Sequence, residues 1–143
     1  MKGVFLGFDY GTKRLGVAVG QAVTRSSNPL CTLEAQREKP DWDMITNLIH
    51  EWQPEGLVVG LPVHMDGTEQ AITARAKRFA RQLEGRFGLP VHLADERLSS
   101  REAKSIIKHN RQIGHRRRKT EKHDVDKVAA TLILQRWLET HAD

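Results

Sequence analysis

Val4 to Tyr10 and Leu15 to Gly20 are short apolar runs punctuated by glycine, and Gly11-Thr12-Lys13-Arg14 joins them. The pattern predicts a β-hairpin at the start of the chain. A third, weaker strand runs from about Pro29 to Leu33, after the polar turn Thr24-Arg25-Ser26-Ser27-Asn28. The period then changes. Met44, Ile45, Leu48, Ile49 and Trp52 recur at three-to-four spacing behind Asp41, a good N-cap residue, and Pro54 stops the helix. Leu57-Val58-Val59-Gly60 is apolar throughout, as a central strand buried on both faces must be. Gly67-Thr68-Glu69 opens a long helix through about Phe87, with Ile72, Ala76, Phe79, Ala80 and Leu83 on one side. Val91-His92-Leu93-Ala94 is the next strand and ends abruptly in Asp95-Glu96-Arg97. Ser99 or Ser100 caps a helix with Ala103, Ile106 and Ile107 inward, and the polar, basic stretch Asn110 to Lys122 reads as a mobile loop. A last helix from about Val125 to Leu138 buries Val128, Ala129, Leu132, Ile133 and Trp137. The order β-β-β-α-β-α-β-α-α predicts an α/β chain with a mixed sheet and helices on its faces.

Composition narrows the class. The 143 residues suit one domain, 1–143, and no internal repeat or long linker divides them. No apolar run approaches the roughly 18 residues of a membrane span. The start of the chain meets Asp9 before a secretory apolar core can form, and the single cysteine, Cys31, excludes an internal disulfide framework. A soluble, cytoplasmic protein is expected, with Cys31 a small buried filler. The formal charge of +5 and a pI near 9.7 suggest a polyanionic partner. The surplus is local: Arg97 to Lys127 carries eleven Lys and Arg against four Asp and Glu, a net of +7, while the remaining residues net −2. Such a run also fits a solvated surface with no partner.

Three acids stand where strand and helix ends converge. Asp9 terminates an otherwise apolar strand, Glu96 follows another, and Asp126 lies in the first turn of the last helix, in line with Ala129, Ala130 and Ile133. Carboxylates gathered at one rim repel each other without a cation, and hard oxygen ligands suit Mg²⁺ or Mn²⁺. Two such ions about 3.5–4 Å apart would activate water and steady the leaving oxygen of a phosphodiester. Each acid also has a plainer role: Asp126 with the helix dipole, Asp9 in the hairpin turn, Glu96 paired with Arg97. Asp9-Tyr10-Gly11-Thr12-Lys13 also resembles the phosphate turn of actin-like ATPases, but 143 residues leave no room for their second domain. The stretch Gly60 to Glu69 precedes a helix N-terminus that suits either a phosphate or a capping turn. The seven histidines show no ligand spacing; His123 lies near Asp124 and Asp126.

Four ordered segments together resemble one family. Phe8-Asp9-Tyr10-Gly11-Thr12-Lys13-Arg14-Leu15-Gly16-Val17-Ala18 is similar to the start of the YqgF (RuvX-like) family. Val59-Gly60-Leu61-Pro62 with Met65-Asp66-Gly67-Thr68-Glu69 matches its second signature, and Asp95-Glu96-Arg97-Leu98-Ser99-Ser100 with Glu102-Ala103 its third. Val125-Asp126-Lys127-Val128-Ala129-Ala130 and Leu132-Ile133-Leu134-Gln135 resemble its C-terminal helix. The resemblance implies an RNase H-like fold, a mixed five-stranded sheet with helices on both faces. It implies Asp9, Glu96 and Asp126 as catalytic and metal-binding acids, with Asp126 preferred over Asp124 because it fits the family pattern. Thr12, Lys13 and Arg97 belong to the same motifs and are expected to steer phosphate. Where many relatives have a Gly-rich loop, this chain has Gly114-His115-Arg116-Arg117-Arg118-Lys119, and Arg116, Arg117, Arg118 and Lys119 are expected to grip nucleic acid.

The resemblance implies a hydrolase, a divalent-metal-dependent nuclease. Its two functional labels are maturation of the 5′ end of pre-16S ribosomal RNA and resolution of Holliday junctions. The first is preferred, because nothing in the sequence marks a dimer seam or an aromatic wedge for branched DNA. A non-catalytic nucleic-acid-binding module would keep the basic segment and lose an acid, and all three acids are present. Monomer and homodimer are both open.

Overall fold

The first two strands, β1 (Val4–Tyr10) and β2 (Arg14–Gln21), pair antiparallel with Asp9 opposite Gly16. β3 (Ser26–Glu34) follows β2 antiparallel, α1 is Trp42–Trp52, and β4 (Gly56–Leu61) returns parallel to β1. α2 (Ala71–Phe87), β5 (Val91–Asp95) and α3 (Arg118–His141) complete the order, with β5 parallel to β4. The computed structural model describes residues 3–11, 13–37, 39–61, 71–95 and 118–141. Its five-stranded sheet has the order β3-β2-β1-β4-β5, the mixed sheet expected.

Strand alternation sorts the side chains into two layers. Leu6, Phe8, Tyr10, Leu15, Val17, Leu57 and Val59 pack against Ile45, Leu48 and Ile49 of α1 and Phe79, Ala80 and Leu83 of α2. Phe5, Ala18 and Val58 point the other way, against Ala130, Ile133, Leu134, Trp137 and Leu138 of α3. Helices therefore cover both faces, and β4 is buried on both sides as its unbroken apolar run requires. Each large side chain removed from water here, such as Phe8, contributes about 1.5–3 kcal/mol. Close approach to α3 depends on small residues: a Cβ at Gly7 would lie 2.8 Å from Leu134 Cβ.

Most boundaries match those expected from the sequence, and the departures have physical causes. Asp41 caps α1 by accepting the Met44 N–H at 3.2 Å, but Met44 itself is exposed because it lies off the buried Ile45–Leu48–Ile49 stripe. β3 starts at Ser26, inside the polar stretch expected to be a turn. It is an edge strand, where polar side chains and Pro29 are tolerated, and Ser27 donates to Thr131 O at 2.7 Å. Cys31 is half-buried rather than a core residue, and burial raises its thiol pKa. α3 begins at Arg118, so Arg118 to Lys122 are helical, not loop. Arg, Lys and Glu are good helix formers, and extending a packed helix costs little. The inward face of α3 is also rotated, with Ala130, Leu134 and Leu138 buried and Val128 and Leu132 only half-buried. Residues 62–70 and 96–117, including the expected Ser99/Ser100 helix, lie outside the described residues.

Candidate active site

One row across the sheet explains the setting of Asp9. The register aligns Thr32 of β3, Gly16 of β2, Asp9 of β1, Gly60 of β4 and Ala94 of β5. Leu6, Phe8 and Tyr10 face α1 and α2, so Asp9 shares the opposite face with Phe5 and Gly7, beneath α3. On that face its immediate neighbours on both sides are glycines. A half-buried carboxylate thus stands on a floor without side-chain bulk, at the end where β1, β4 and β5 terminate.

Asp126 arrives from above. A Cβ on Gly16 would fall onto the Asp126 carbonyl oxygen and lie 3.1 Å from Asp126 Cβ. Gly16 is Asp9's cross-strand partner, with Cα atoms about 5 Å apart in such pairs. The last helix therefore sets the backbone of Asp126 against the strand residue paired with Asp9, although more than a hundred residues of chain separate the two acids. Arg14 closes the arrangement: its Nε donates to Asp126 Oδ2 at 2.6 Å in a partly buried ion pair. The sequence alone marks Arg14 only as a turn residue, with no role at the site. Its place at the start of β2, two residues before the small residue under α3, is the signal that could have found it.

Lys13 is exposed beside Arg14, and its carbonyl accepts the Ala35 N–H at 2.9 Å, extending the β2–β3 ladder to the rim. Tyr10 is buried on the opposite face against Phe79, with ring centroids 5.2 Å apart, and does not reach this floor. Arg118 and Lys119 open α3, but their side chains lie outside the described residues, as do Thr12, Glu96, Arg97, Arg116 and Arg117. Among the described residues no group of three or more His, Cys, Asp or Glu converges. Asp9 and Asp126 are the two acids of the expected three that can be placed. Their hard oxygens on an open glycine floor fit a small divalent cation in kind.

The sequence model of the family described as "RuvX: Holliday junction resolvase" matches residues 3–140. This chain belongs to the RuvX family. As a RuvX protein it is a hydrolase acting on nucleic acid. It is 52% identical over 136 residues to a protein of Azotobacter vinelandii named "Putative pre-16S rRNA nuclease", covering 94% of this chain and 92% of that one. A Klebsiella pneumoniae protein of the same name is 51% identical over 140 residues, covering 97% and 98%. Among solved structures, RuvC of T. thermophilus in complex with a Holliday junction substrate superposes with a TM-score of 0.55 at 15% identity, covering 98% of this chain and 97% of that one. A Fowlpox virus resolvase bound to Holliday junction DNA gives 0.57 at 11%, covering 98% and 99%. These structures share the RNase H-like fold with this RuvX chain. No helix among its described residues is long and apolar enough to cross a membrane.

Proposed function

We propose that this RuvX protein is a cytoplasmic, divalent-metal-dependent nuclease that matures the 5′ end of pre-16S ribosomal RNA. The observation that carries the reading is the close approach of Asp126 to Gly16, the cross-strand partner of Asp9. Asp9, Asp126 and Glu96 are the proposed ligands for Mg²⁺ or Mn²⁺; Glu96 follows directly on β5, two residues after Ala94 of the Asp9 row. When bound, the metal supplies a water activated for attack and charge stabilisation at the leaving oxygen. Within the chain, Arg14 holds Asp126 by its carboxylate and offsets the repulsion between acids drawn to one floor. Lys13, Thr12 and Arg97 are proposed to orient the scissile phosphate, and Arg116 to Lys119 to hold flanking backbone.

The pre-16S substrate is favoured by the names of relatives at about half identity over nearly the whole chain. The family's own description favours a second reading, resolution of branched DNA. Purified protein is offered a pre-16S leader fragment and a four-way junction side by side, with Mg²⁺ or Mn²⁺. The expected result is cleavage of the RNA at its 5′ leader and little of the junction; the reverse preference establishes the second reading. Losing an outer-shell partner of a metal site typically costs 10–100-fold, so loss of a direct ligand in Asp9→Asn should cut cleavage by about 100-fold or more. Equal cleavage by Asp9→Asn and wild type would sink the proposed acids.

A further inference from the structure

The geometry points to Arg14 as a phosphate-binding residue of the active site: its Nε stays on Asp126 while its terminal amino groups take a non-bridging oxygen of the scissile phosphate. The inference rests on the nuclease reading and deepens it, adding a substrate contact to the partner of Asp126. Its first support is position. Leu15 and Val17 face α1 and α2, so Arg14 and Gly16 point to the opposite face, the one that carries Asp9. Gly16 is the cross-strand partner of Asp9, and Arg14, two residues before it, is the diagonal neighbour, with about 7–8 Å between such positions. The backbone is fixed on both sides. A Cβ at Gly11 would lie 2.8 Å from Arg14 O, so the hairpin closes tightly, and the neighbouring Lys13 carbonyl accepts the Ala35 N–H at 2.9 Å. Arg14 thus touches one proposed metal ligand and is the diagonal neighbour of another.

The second support is the choice of partner. Arg14 is paired with Glu34 across β2 and β3, and an opposite-charge cross-strand contact is what the sheet by itself favours. Among the described residues Arg14 makes its ion pair with Asp126 instead, 112 residues along the chain. Glu34 has contacts of its own. The guanidinium is therefore drawn over the acidic rim rather than along the sheet.

The third support is the unused part of the side chain. Arginine–carboxylate pairs are frequently bidentate, with two parallel N–H groups on the two oxygens. Here Nε alone donates, to Asp126 Oδ2 at 2.6 Å, and the terminal amino groups make no hydrogen bond among the described residues. The Arg14 side chain is 32% exposed against 18% for Asp126, so the guanidinium is open to a ligand where the carboxylate is largely covered. A phosphodiester brought to a group of carboxylates is repelled by them. A guanidinium already anchored through Nε offers it planar donors with little further loss of rotamer freedom.

The test measures binding of the pre-16S leader fragment, and separately of the four-way junction, in EDTA across a sodium chloride series. Arg14→Gln should bind several-fold more weakly, with a slope of log K against log salt flatter by about 0.7–0.9, as loss of one neutralised phosphate requires. Arg14→Lys keeps the charge and should keep the slope. Arg78→Gln removes the same charge from the exposed side of α2, the helix on the other face, and should leave the slope unaltered. A second comparison separates holding the phosphate from merely holding Asp126. Asp126→Asn removes the ion pair and leaves Arg14 in place, and adding Arg14→Gln to it should weaken binding by a similar factor. In that background no carboxylate is left unpaired at position 126, so the comparison stands even where Arg14→Gln alone is destabilised. Equal binding by Asp126→Asn and the double variant would overturn the contact, as would equal flattening in Arg14→Gln and Arg78→Gln. Failure of the wild-type chain to bind either nucleic acid would overturn the substrate reading and this contact together.

Discussion

Asp9 and Gly16 show how one missing side chain makes room for a charged one. A carboxylate facing a helix-covered layer carries a large desolvation cost unless a partner or cation meets it. Glycine at the paired position lets the α3 backbone descend until Asp126 lies against Gly16, and Arg14 then meets Asp126 at 2.6 Å. Gly16→Ala is therefore expected to cost about 1–3 kcal/mol, as overpacking against rigid backbone does, and to lower cleavage further by displacing Asp126. Gly85→Ala is the control. Gly85 sits in α2 with nothing within 4 Å of its would-be Cβ, and that change should raise stability by about 0.5–1 kcal/mol. Urea denaturation of both variants, with cleavage rates at equal folded fraction, separates the two effects. Equal stability of Gly16→Ala and wild type would show that the helix can rise without cost.

At the scale of elements, α3 is fastened at both edges of the sheet. Over β3, Gln135 uses both ends of its amide: Oε1 accepts the Ser27 N–H at 2.9 Å and Nε2 donates to Arg25 O at 2.5 Å. Over β5, Trp137 lies between two histidines, with ring centroids 4.6 Å from His92 and 4.9 Å from His141. Burial, reinforced by the electrostatic repulsion of His141, lowers the His92 pKa below its ordinary value of 6.5. The unfolded chain then takes up the proton first. Stability from this element is intact above about pH 6.5 and declines as pH falls through and below that value. Urea midpoints measured from pH 7.5 to 5 should fall for wild type and fall less for His92→Gln. Parallel curves would remove His92 as the cause. Because α3 carries Asp126 at its other end, loosening this contact also loosens the site.

Across the whole molecule, the charge excess is concentrated in one stretch of sequence rather than spread evenly. The excess sits in Arg97 to Lys127, a segment that begins beside Glu96 and ends beside Asp126. On the proposed function, a strongly anionic partner drawn to that segment reaches the carboxylates, and each phosphate bound releases counterions. Replacing Arg116, Arg117 and Arg118 by Ala should weaken binding of leader RNA and flatten its salt dependence by about 2–3 in slope, measured by filter binding across a salt series. An unchanged slope would return this run to a solvated surface.

The hydrophobic periods by themselves determined which segments become strand and helix, because period-two and three-to-four patterns each bury only one kind of element. They also marked Asp9 and Asp126 as acids out of keeping with their apolar neighbours. Tertiary structure alone decided what those acids meet. The registers that place glycines on both sides of Asp9, the descent of α3 onto Gly16 and the ion pair of Arg14 with Asp126 all depend on contacts between distant segments. The early start of α3 and the polar start of β3 were hidden for a related reason. Their residues carry no apolar period, and they are held by propagation from a packed helix and by the edge of a sheet. Periodicity reports burial of each element against a generic core, while close approach is set by the absence of a Cβ, whose effect appears only when the partner backbone is in place.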